Sequence, residues 1–186
     1  MNSFPTPREA LIAHLTQHAV RTDGPFTLRS GEKSNWYIDA RQTTFSGKGA
    51  WLVGTAVLEE VPDGVDAVGG MTMGADPIAI ATAMVAAEKG SGLLSFSIRK
   101  EVKGHGVSGR LVGPIHTGSR VVALEDTTTT GSALVEAIEV LQEAGVEVVK
   151  AVALVDRSGG AAAQRIEALG MPYVALVTPK DLGVGD

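Results

Sequence analysis

From Val65 onward the chain alternates short apolar runs with amphipathic segments, and this alternation limits the possible folds more than any other feature. The runs VDAVGG, GLLSFSIRK, RVVALED, VEVVKAVALVD and MPYVALVTP have the length and the aliphatic content of buried strands. Helical periodicity marks DPIAIATAMVAAEKG, GSALVEAIEVLQEAG and GGAAAQRIEALG. Strands that alternate with helices over short connections require right-handed crossovers. The sequence therefore predicts an α/β fold with a central, mostly parallel sheet flanked by helices.

The first 45 residues follow a different pattern. The segment TPREALIAHLTQHAV predicts a helix, because Thr6 can cap it and Glu9 completes a capping box. FTLRSGEKSNWYIDAR predicts two short strands joined by a turn. Beyond residue 45, GKGAWLVGTAVLEEV predicts a second helix. We expect a single domain over residues 1–186, in which residues 1–45 contribute a small annex of helix and hairpin.

Composition excludes several classes of protein. The chain has no cysteine, which rules out disulfides, Cys-ligated zinc and thiol catalysis. Its formal charge of -5 is the wrong sign for a nucleic-acid partner. The N-terminus lacks the pattern of a signal peptide, and no apolar run reaches the roughly 18 residues that span a bilayer. We therefore expect a soluble, cytoplasmic protein with no membrane partner.

The stretch VVALEDTTTTGSALVEAIEVL carries the most chemistry. An apolar strand ends on Glu125 and Asp126, and a threonine-rich turn over 127–132 leads into a helix. In open parallel sheets, ligands bind beyond the carboxyl ends of the strands. The N–H groups at the helix start and the helix dipole form an anion site, and Gly131 allows a phosphate to approach the backbone closely. The two carboxylates would repel that phosphate and instead accept hydrogen bonds from sugar hydroxyls, so the motif predicts a ribose 5-phosphate site. The alternative is a capped helix after a strand that ends in solvent.

VVALEDTTTTGSA resembles the signature that binds 5-phosphoribosyl 1-diphosphate (PRPP) in type I phosphoribosyltransferases. The resemblance implies the fold of that class, with residues 1–45 as an N-terminal hood. It also implies that Glu125 and Asp126 act as catalytic residues on the ribose hydroxyls. The 5-phosphate would be held by Thr127, Thr128, Thr129, Thr130, Gly131, Ser132 and Ala133.

The segment IRKEVKGHG concentrates positive charge in an acidic protein, through Arg99, Lys100, Lys103 and His105. A leaving diphosphate needs cations that stabilise its developing charge and then release it, although a few lysines are also normal in a solvated loop. The segment is similar to the catalytic loop of orotate phosphoribosyltransferases. The resemblance implies that Lys103 is the main catalytic cation on the diphosphate and that the other three contact PRPP. It further implies a homodimer, because this loop reaches the neighbouring subunit's site in that family.

FTLRSGEKSNWYIDAR resembles the hood of the same family, which contacts both PRPP and the base. The resemblance implies that Arg29 contacts PRPP and that Trp36, Tyr37 and Ile38 lie near orotate, with Tyr37 as the candidate base contact. Packing in the core is the alternative for both aromatic residues.

Arg157, in ALVDRSGG, follows a predicted strand. A guanidinium group binds a carboxylate through two parallel hydrogen bonds, and orotate carries a carboxylate. The resemblance places Arg157 on orotate, with Thr129 hydrogen-bonded to the same ring. An ion pair with Asp156 or with a surface acid is the alternative.

One segment departs from the family pattern. GGMTMGADPIA aligns with a stretch that often contains a PRPP-contacting lysine, and Gly74 occupies that position here. Only backbone contacts are available from this residue.

The resemblance implies transfer of the 5-phosphoribosyl group from PRPP to orotate, giving orotidine 5′-monophosphate and diphosphate. It implies Mg²⁺ as the cofactor, held through PRPP oxygens and not directly by the protein. Two alternatives remain: a purine phosphoribosyltransferase, and a PRPP-binding regulator without turnover. The segment IRKEVKGHG and Arg157 argue against the purine enzyme, and the absence of a basic extension argues against the regulator.

Overall fold

The computed structural model describes residues 5–27, 31, 33–101 and 109–185. In chain order its elements are α1 (Pro7–His18), β1 (Val20–Arg21), β2 (Phe26–Thr27), β3 (Lys33–Ser34), β4 (Tyr37–Ile38), α2 (Arg41–Thr44), α3 (Gly47–Leu58), β5 (Ala67–Met71), α4 (Ala75–Glu88), β6 (Leu94–Ile98), β7 (Leu111–Val112), β8 (Arg120–Thr128), α5 (Ser132–Glu143), β9 (Glu147–Asp156), α6 (Ala161–Glu167) and β10 (Tyr173–Val177).

A six-stranded sheet organises the chain, with the strand order β10-β9-β8-β5-β6-β7. All neighbouring strands are parallel except β6 and β7, which pair antiparallel. The predicted α/β fold with a mostly parallel sheet is confirmed. The edge strand β7 was not predicted, because two residues are too short to show a period.

Side chains of β8 alternate between the two faces of the sheet, as a strand buried on both faces requires. Val122 and Leu124 pack in a core cluster with residues of α1, α3 and α4. Val121 and Ala123 pack on the other face against the apolar side of α5, which consists of Leu134, Ala137, Ile138 and Leu141. Strand β8 is therefore covered on both faces, and a ligand can approach it at its carboxyl end.

The predicted first helix is confirmed, and the N-terminal segment carries two antiparallel strand pairs. The side chain of Thr6 accepts a hydrogen bond from the Glu9 N–H, and the Glu9 carboxylate accepts one from the Thr6 N–H, which completes the capping box of α1. Strands β2 and β3 pair antiparallel, and β1 and β4 form a second antiparallel pair. Across the described ranges, no helix is both long and apolar enough to cross a membrane.

Strand β8 runs two residues beyond the predicted end at Asp126. Thr127 and Thr128 pair with Val155 and Asp156 of β9, so they continue the strand and do not open the turn. The reason is that β-branched threonine is favourable in a strand when a parallel neighbour is present. The turn before α5 consequently begins at Thr129.

Candidate active site

Strands β5 and β8 are parallel neighbours, so their carboxyl ends meet at one edge of the sheet. A cavity of about 680 Å³ opens there. Its walls are formed by α2, the β5–α4 connection, the residues after β6, β8 and α5. The lining residues are Arg41, Met71, Thr72, Met73, Gly74, Lys100, Glu101, Glu125, Asp126, Thr127, Ala133 and Glu136. The volume is sufficient for a sugar phosphate.

The two acids at the end of β8 have different surroundings. Asp126 accepts a hydrogen bond from the Thr127 N–H through Oδ1, at 2.7 Å, which fixes the direction of its carboxylate. The Oε2 atom of Glu125 is buried, and no described residue donates a hydrogen bond to it. Burial, with a smaller contribution from the Asp126 charge, raises the pKa of Glu125 to about 8. Glu125 is therefore largely protonated at neutral pH and can donate to one ligand oxygen while accepting from another.

This raised pKa predicts a pH dependence of stability. The folded-state pKa exceeds the ordinary value of 4.5, so the contribution of Glu125 to stability is complete below pH 4.5 and is lost as the pH rises through 8. The loss is up to about 1.4 kcal/mol per pH unit in that window. We expect Glu125→Gln to remove it, so that the Tm of the variant falls less than that of the wild type between pH 5 and pH 8. Thermal melts across this range measure the effect.

Glu139→Gln is the matched control for that experiment, because Glu139 is an exposed residue of α5. Its Tm profile should follow the wild-type profile. Parallel profiles for Glu125→Gln and the wild type would contradict the assignment of the raised pKa to Glu125.

The turn between β8 and α5 is held by its own hydroxyl groups. The Gly131 N–H donates to Thr128 Oγ1 at 2.9 Å, and the hydroxyls of Thr130 and Ser132 lie 2.9 Å apart. Gly131 has a φ of 80°, and a Cβ at this position would lie 2.9 Å from Ala162 Cα at the start of α6. Only glycine fits here without strain.

Gly131 is also the N-cap residue of α5, and it provides no side chain to cap the helix. Helix α5 therefore presents its N-terminal backbone end to the carboxyl edge of the sheet, which is an anion-binding arrangement. Arg165, on α6, adds a cation nearby by donating to Ser132 Oγ at 2.9 Å.

Gly74 lies against the acid pair. A Cβ built on Gly74 would lie 2.6 Å from Oδ1 and 2.7 Å from Cγ of Asp126. Any side chain at position 74 would therefore displace this carboxylate. The lysine that the family pattern suggests has no room here, and Arg41 of α2 is a cation on the wall of the same cavity.

Arg157 follows β9 and is linked to β8 by a hydrogen bond from its N–H to the carbonyl oxygen of Thr128, at 2.8 Å. Its Cζ atom lies 4.0 Å from the centroid of the Trp36 ring, a cation–π contact between the sheet and the hood. The Nε atom is buried, and no described residue accepts its hydrogen bond. Burial lowers the pKa of Arg157. A half-buried guanidinium group with a free donor is suited to receive an anionic ligand.

The alternative ion pair between Arg157 and Asp156 is not formed. Asp156 accepts hydrogen bonds from the Ser158 N–H at 2.6 Å and from the Tyr173 hydroxyl at 3.0 Å. Burial, together with the Asp156 carboxylate, raises the pKa of Tyr173, so its hydroxyl remains a donor. These bonds orient the turn after β9 and leave Arg157 directed toward Trp36.

The structure brings several predicted residues together at the cavity, namely Lys100, Glu125, Asp126, Thr127 and Ala133. Thr129, Thr130 and Ser132 are exposed beside it in the turn. Arg99 and Thr72 line an adjoining cavity of about 450 Å³. Tyr37 is partly exposed in the hood, and its ring centroid lies 5.8 Å from that of Phe26. The predictions for Arg29, Lys103 and His105 lie outside the described residues.

Four polar lining residues were not found from the sequence: Arg41, Thr72, Glu101 and Glu136. Arg41 and Glu136 lie on helices that resemble ordinary amphipathic surface in the sequence. For these two residues, the only signal in the sequence is the position of Glu136, about one turn into the helix that follows the acid pair. Thr72 lies two residues after the predicted strand VDAVGG, and Glu101 directly follows GLLSFSIRK. The rule that ligands bind at strand ends could therefore have included them.

The sheet and the acid pair with its threonine turn define a type I phosphoribosyltransferase, and a model of the phosphoribosyl transferase domain matches residues 57–179. The orotate phosphoribosyltransferase of Corynebacterium glutamicum is 42% identical over 184 residues, which is 98% of both chains. The crystal structure of Mycobacterium tuberculosis orotate phosphoribosyltransferase in complex with Fe(III) dicitrate has a TM-score of 0.85 and 36% identity, and covers 96% of this chain and 100% of that chain. The same enzyme in complex with PRPP has a TM-score of 0.81 and 32% identity, with 96% and 100% coverage. The chain belongs to the orotate phosphoribosyltransferase family.

Proposed function

We propose that this protein transfers the 5-phosphoribosyl group of PRPP to orotate and releases diphosphate, a step of pyrimidine nucleotide synthesis. The observation that carries the proposal is the combination at one sheet edge of three features: an anion-binding helix start, two acids and a separate guanidinium group. The Nε donor of that group has no acceptor among the described residues. The helix start and the two acids suit a ribose 5-phosphate. The guanidinium group of Arg157 suits the orotate carboxylate, which purine bases lack.

In this reaction the C1–oxygen bond to diphosphate breaks and its electron pair leaves with diphosphate. A bond forms between C1 and N1 of orotate, and N1 loses its proton. The carbon is electron-poor between these events, so catalysis depends on positioning and on charge stabilisation. Glu125 and Asp126 would hold the ribose hydroxyls. Residues 127–133, which end β8, form the turn and begin α5, would bind the 5-phosphate. Arg157 would hold the base by its carboxylate, with Thr129 and Tyr37 as further contacts.

The diphosphate would be bound by the cations expected around the adjoining loop: Lys103 as the main catalytic group, with Arg99, Lys100 and His105. Arg29 of the hood would also contact PRPP. We add Arg41 to this set, because it lines the same cavity and is close enough to Asp126 for their charges to interact.

Mg²⁺ fits the charge of the site. Among its described lining residues the cavity has two cations, Arg41 and Lys100, beside the acids Glu101, Asp126 and Glu136 and the largely protonated Glu125. PRPP is itself a polyanion, so its binding here calls for a divalent cation that neutralises part of the charge. We expect Mg²⁺ to be held mainly by PRPP oxygens, as its preference for phosphate and water suggests, and to stabilise the departing diphosphate.

A homodimer is proposed from the family resemblance and from one exposed surface. Phe45, Trp51, Ile80 and Met84 are each more than half exposed and line a single apolar groove beside α3 and α4. Large apolar side chains clustered in this way are typical of protein interfaces. Ile80 also lines the adjoining cavity that contains Arg99, so a second copy on this surface would reach the edge of the site.

Trp51→Glu is expected to convert the dimer into a monomer, because it places a charge in the centre of that groove. Sedimentation should give a mass near 19.2 kDa. Turnover should fall about tenfold or more, since a central aromatic residue carries much of the energy of an interface. Leu169→Glu is the control, because Leu169 is an exposed apolar side chain outside the groove. A Trp51→Glu variant that sediments as the wild type does would contradict this interface.

The reaction is tested by supplying purified protein with PRPP and Mg²⁺ and following orotate by its ultraviolet absorbance. We expect a loss of the orotate signal that requires both PRPP and Mg²⁺. No loss with orotate, but diphosphate release with adenine, guanine or xanthine, would favour the purine enzyme. PRPP binding without turnover of any base would favour the regulator. Cytoplasmic location remains a prediction, which cell fractionation can test.

A further inference from the structure

Arg110 and Arg99 join the two ends of the segment that contributes Lys100 and Glu101 to the cavity. The Arg99 N–H donates to the Arg110 carbonyl oxygen at 2.8 Å, and Arg110 Nε donates to the Arg99 carbonyl oxygen at 2.7 Å. The register of β6 and β7, with Ile98 opposite Leu111, continues directly from this pair. The position of Lys100 is therefore fixed at its base by the side chain of Arg110.

The guanidinium group of Arg110 also reaches beyond these strands. It contacts Met71 Sδ, at the end of β5, at 3.7 Å and forms an ion pair with Glu136 of α5. The Arg110 side chain is only 19% exposed, so the group is held between the sheet and the helix. Helix α5 begins at the threonine turn. One side chain thus connects Arg99, which follows β6, with the helix that starts at the proposed phosphate site.

Glu136 has no evident role as a ligand contact. It lines the cavity with a negative charge, where a polyanion is proposed to bind. Its carboxylate is directed to Arg110, which neutralises it. An ordinary surface ion pair contributes little to stability. The pair between Arg110 and Glu136 joins two parts of the site, so we expect it to position residues of the site more than to stabilise the fold.

We propose that Arg110 is a positioning residue, anchored by Glu136, that holds Lys100 at the correct place relative to the phosphate-binding turn. This inference rests on the proposed function, because it takes PRPP as the ligand of the cavity. A misplacement of about 1 Å at such a site is sufficient to reduce catalysis strongly.

The test uses Arg110→Gln, Glu136→Gln and the double variant, with Glu139→Gln as the matched control. Glu139 is on the same helix, is exposed, and undergoes the same change of charge. PRPP binding in the presence of Mg²⁺ is measured by calorimetry, and kcat and both KM values are measured with orotate. Thermal melts of all variants show whether the fold is retained.

We expect each single variant to weaken PRPP binding and to lower kcat/KM for PRPP by about tenfold. The KM for orotate should remain within about twofold of the wild-type value. The double variant should bind PRPP no more weakly than the more impaired of the two single variants, because both changes break one connection. Glu139→Gln should match the wild type. Unchanged PRPP binding in Glu136→Gln would overturn the proposal. The proposal would also be overturned if the variants had a lower Tm and both KM values were unchanged, which is the result expected of a purely structural pair.

These outcomes separate the inference from the proposed function. If the wild type binds PRPP but does not convert orotate, the proposed function fails, and the calorimetric comparison still decides the role of Arg110. If the wild type converts orotate and the variants bind PRPP as it does, only the inference fails. A wild type that does not bind PRPP would overturn both.

Discussion

Gly74→Ala is expected to reduce kcat/KM for PRPP by about 100-fold while the protein remains folded. The added Cβ would lie 2.6 Å from Asp126 Oδ1, a separation that atoms do not tolerate, so the carboxylate must move. Asp126 is at present oriented by its hydrogen bond from the Thr127 N–H. Its displacement would remove one of the two groups proposed to hold the ribose hydroxyls.

Stability should change little in this variant. Gly74 has a φ of -62° and a ψ of -46°, which is a helical conformation that alanine adopts readily. The atoms that must yield are at the end of a flexible side chain. Activity and stability are therefore expected to separate, and steady-state kinetics with circular dichroism of the same sample measures both.

Gly92→Ala is the control, because no atom lies within 4 Å of a Cβ built there. It should retain wild-type kinetics. Gly74→Lys should lose as much activity as Gly74→Ala, although it restores the lysine of the family pattern. Wild-type kcat/KM in Gly74→Ala would show that Asp126 is not needed in its present position.

Arg157→Gln is expected to raise the KM for orotate by about 100-fold, because it removes a charged pair of hydrogen bonds to a carboxylate in a half-buried position. PRPP binding should stay within about threefold of the wild type. Arg157→Lys keeps the charge but loses the planar group stacked on Trp36 at 4.0 Å, so an intermediate value is expected.

Arg120→Gln is the control for Arg157, because Arg120 is an arginine at the opposite end of β8 that pairs with Glu147. Its KM for orotate should equal that of the wild type. Equal losses of orotate and PRPP affinity in Arg157→Gln would assign Arg157 to the general structure of the site, and not to the base.

The order of the elements could be predicted from the sequence, because each strand and helix after residue 65 carries its own period of apolar residues. The acid pair and the helix start could be placed at one edge of the sheet for the same reason, since parallel strands share their carboxyl ends. The extension of β8 to Thr128 could not be predicted from the sequence, because it depends on pairing with β9, which is a tertiary contact.

The walls of the cavity were less predictable. Arg41 reaches it from α2 only because that helix packs against α1 and α3, and the role of Gly74 depends on its distance from Asp126. The orientation of Arg157 could not be predicted, because it depends on the hydrogen bond that Tyr173, later in the chain, donates to Asp156. Local sequence patterns contain no information on such contacts. The roles proposed for Arg29, Lys103 and His105 remain predictions.

The most direct test of the proposed function is a single reaction that contains the protein, PRPP, Mg²⁺ and equal amounts of orotate, adenine, guanine and xanthine. The nucleotide products are then identified by mass spectrometry. We predict orotidine 5′-monophosphate as the product, formed in step with diphosphate. A purine nucleotide in its place, or no nucleotide while PRPP remains bound, would contradict the assignment of Arg157 to the orotate carboxylate and the function built on it.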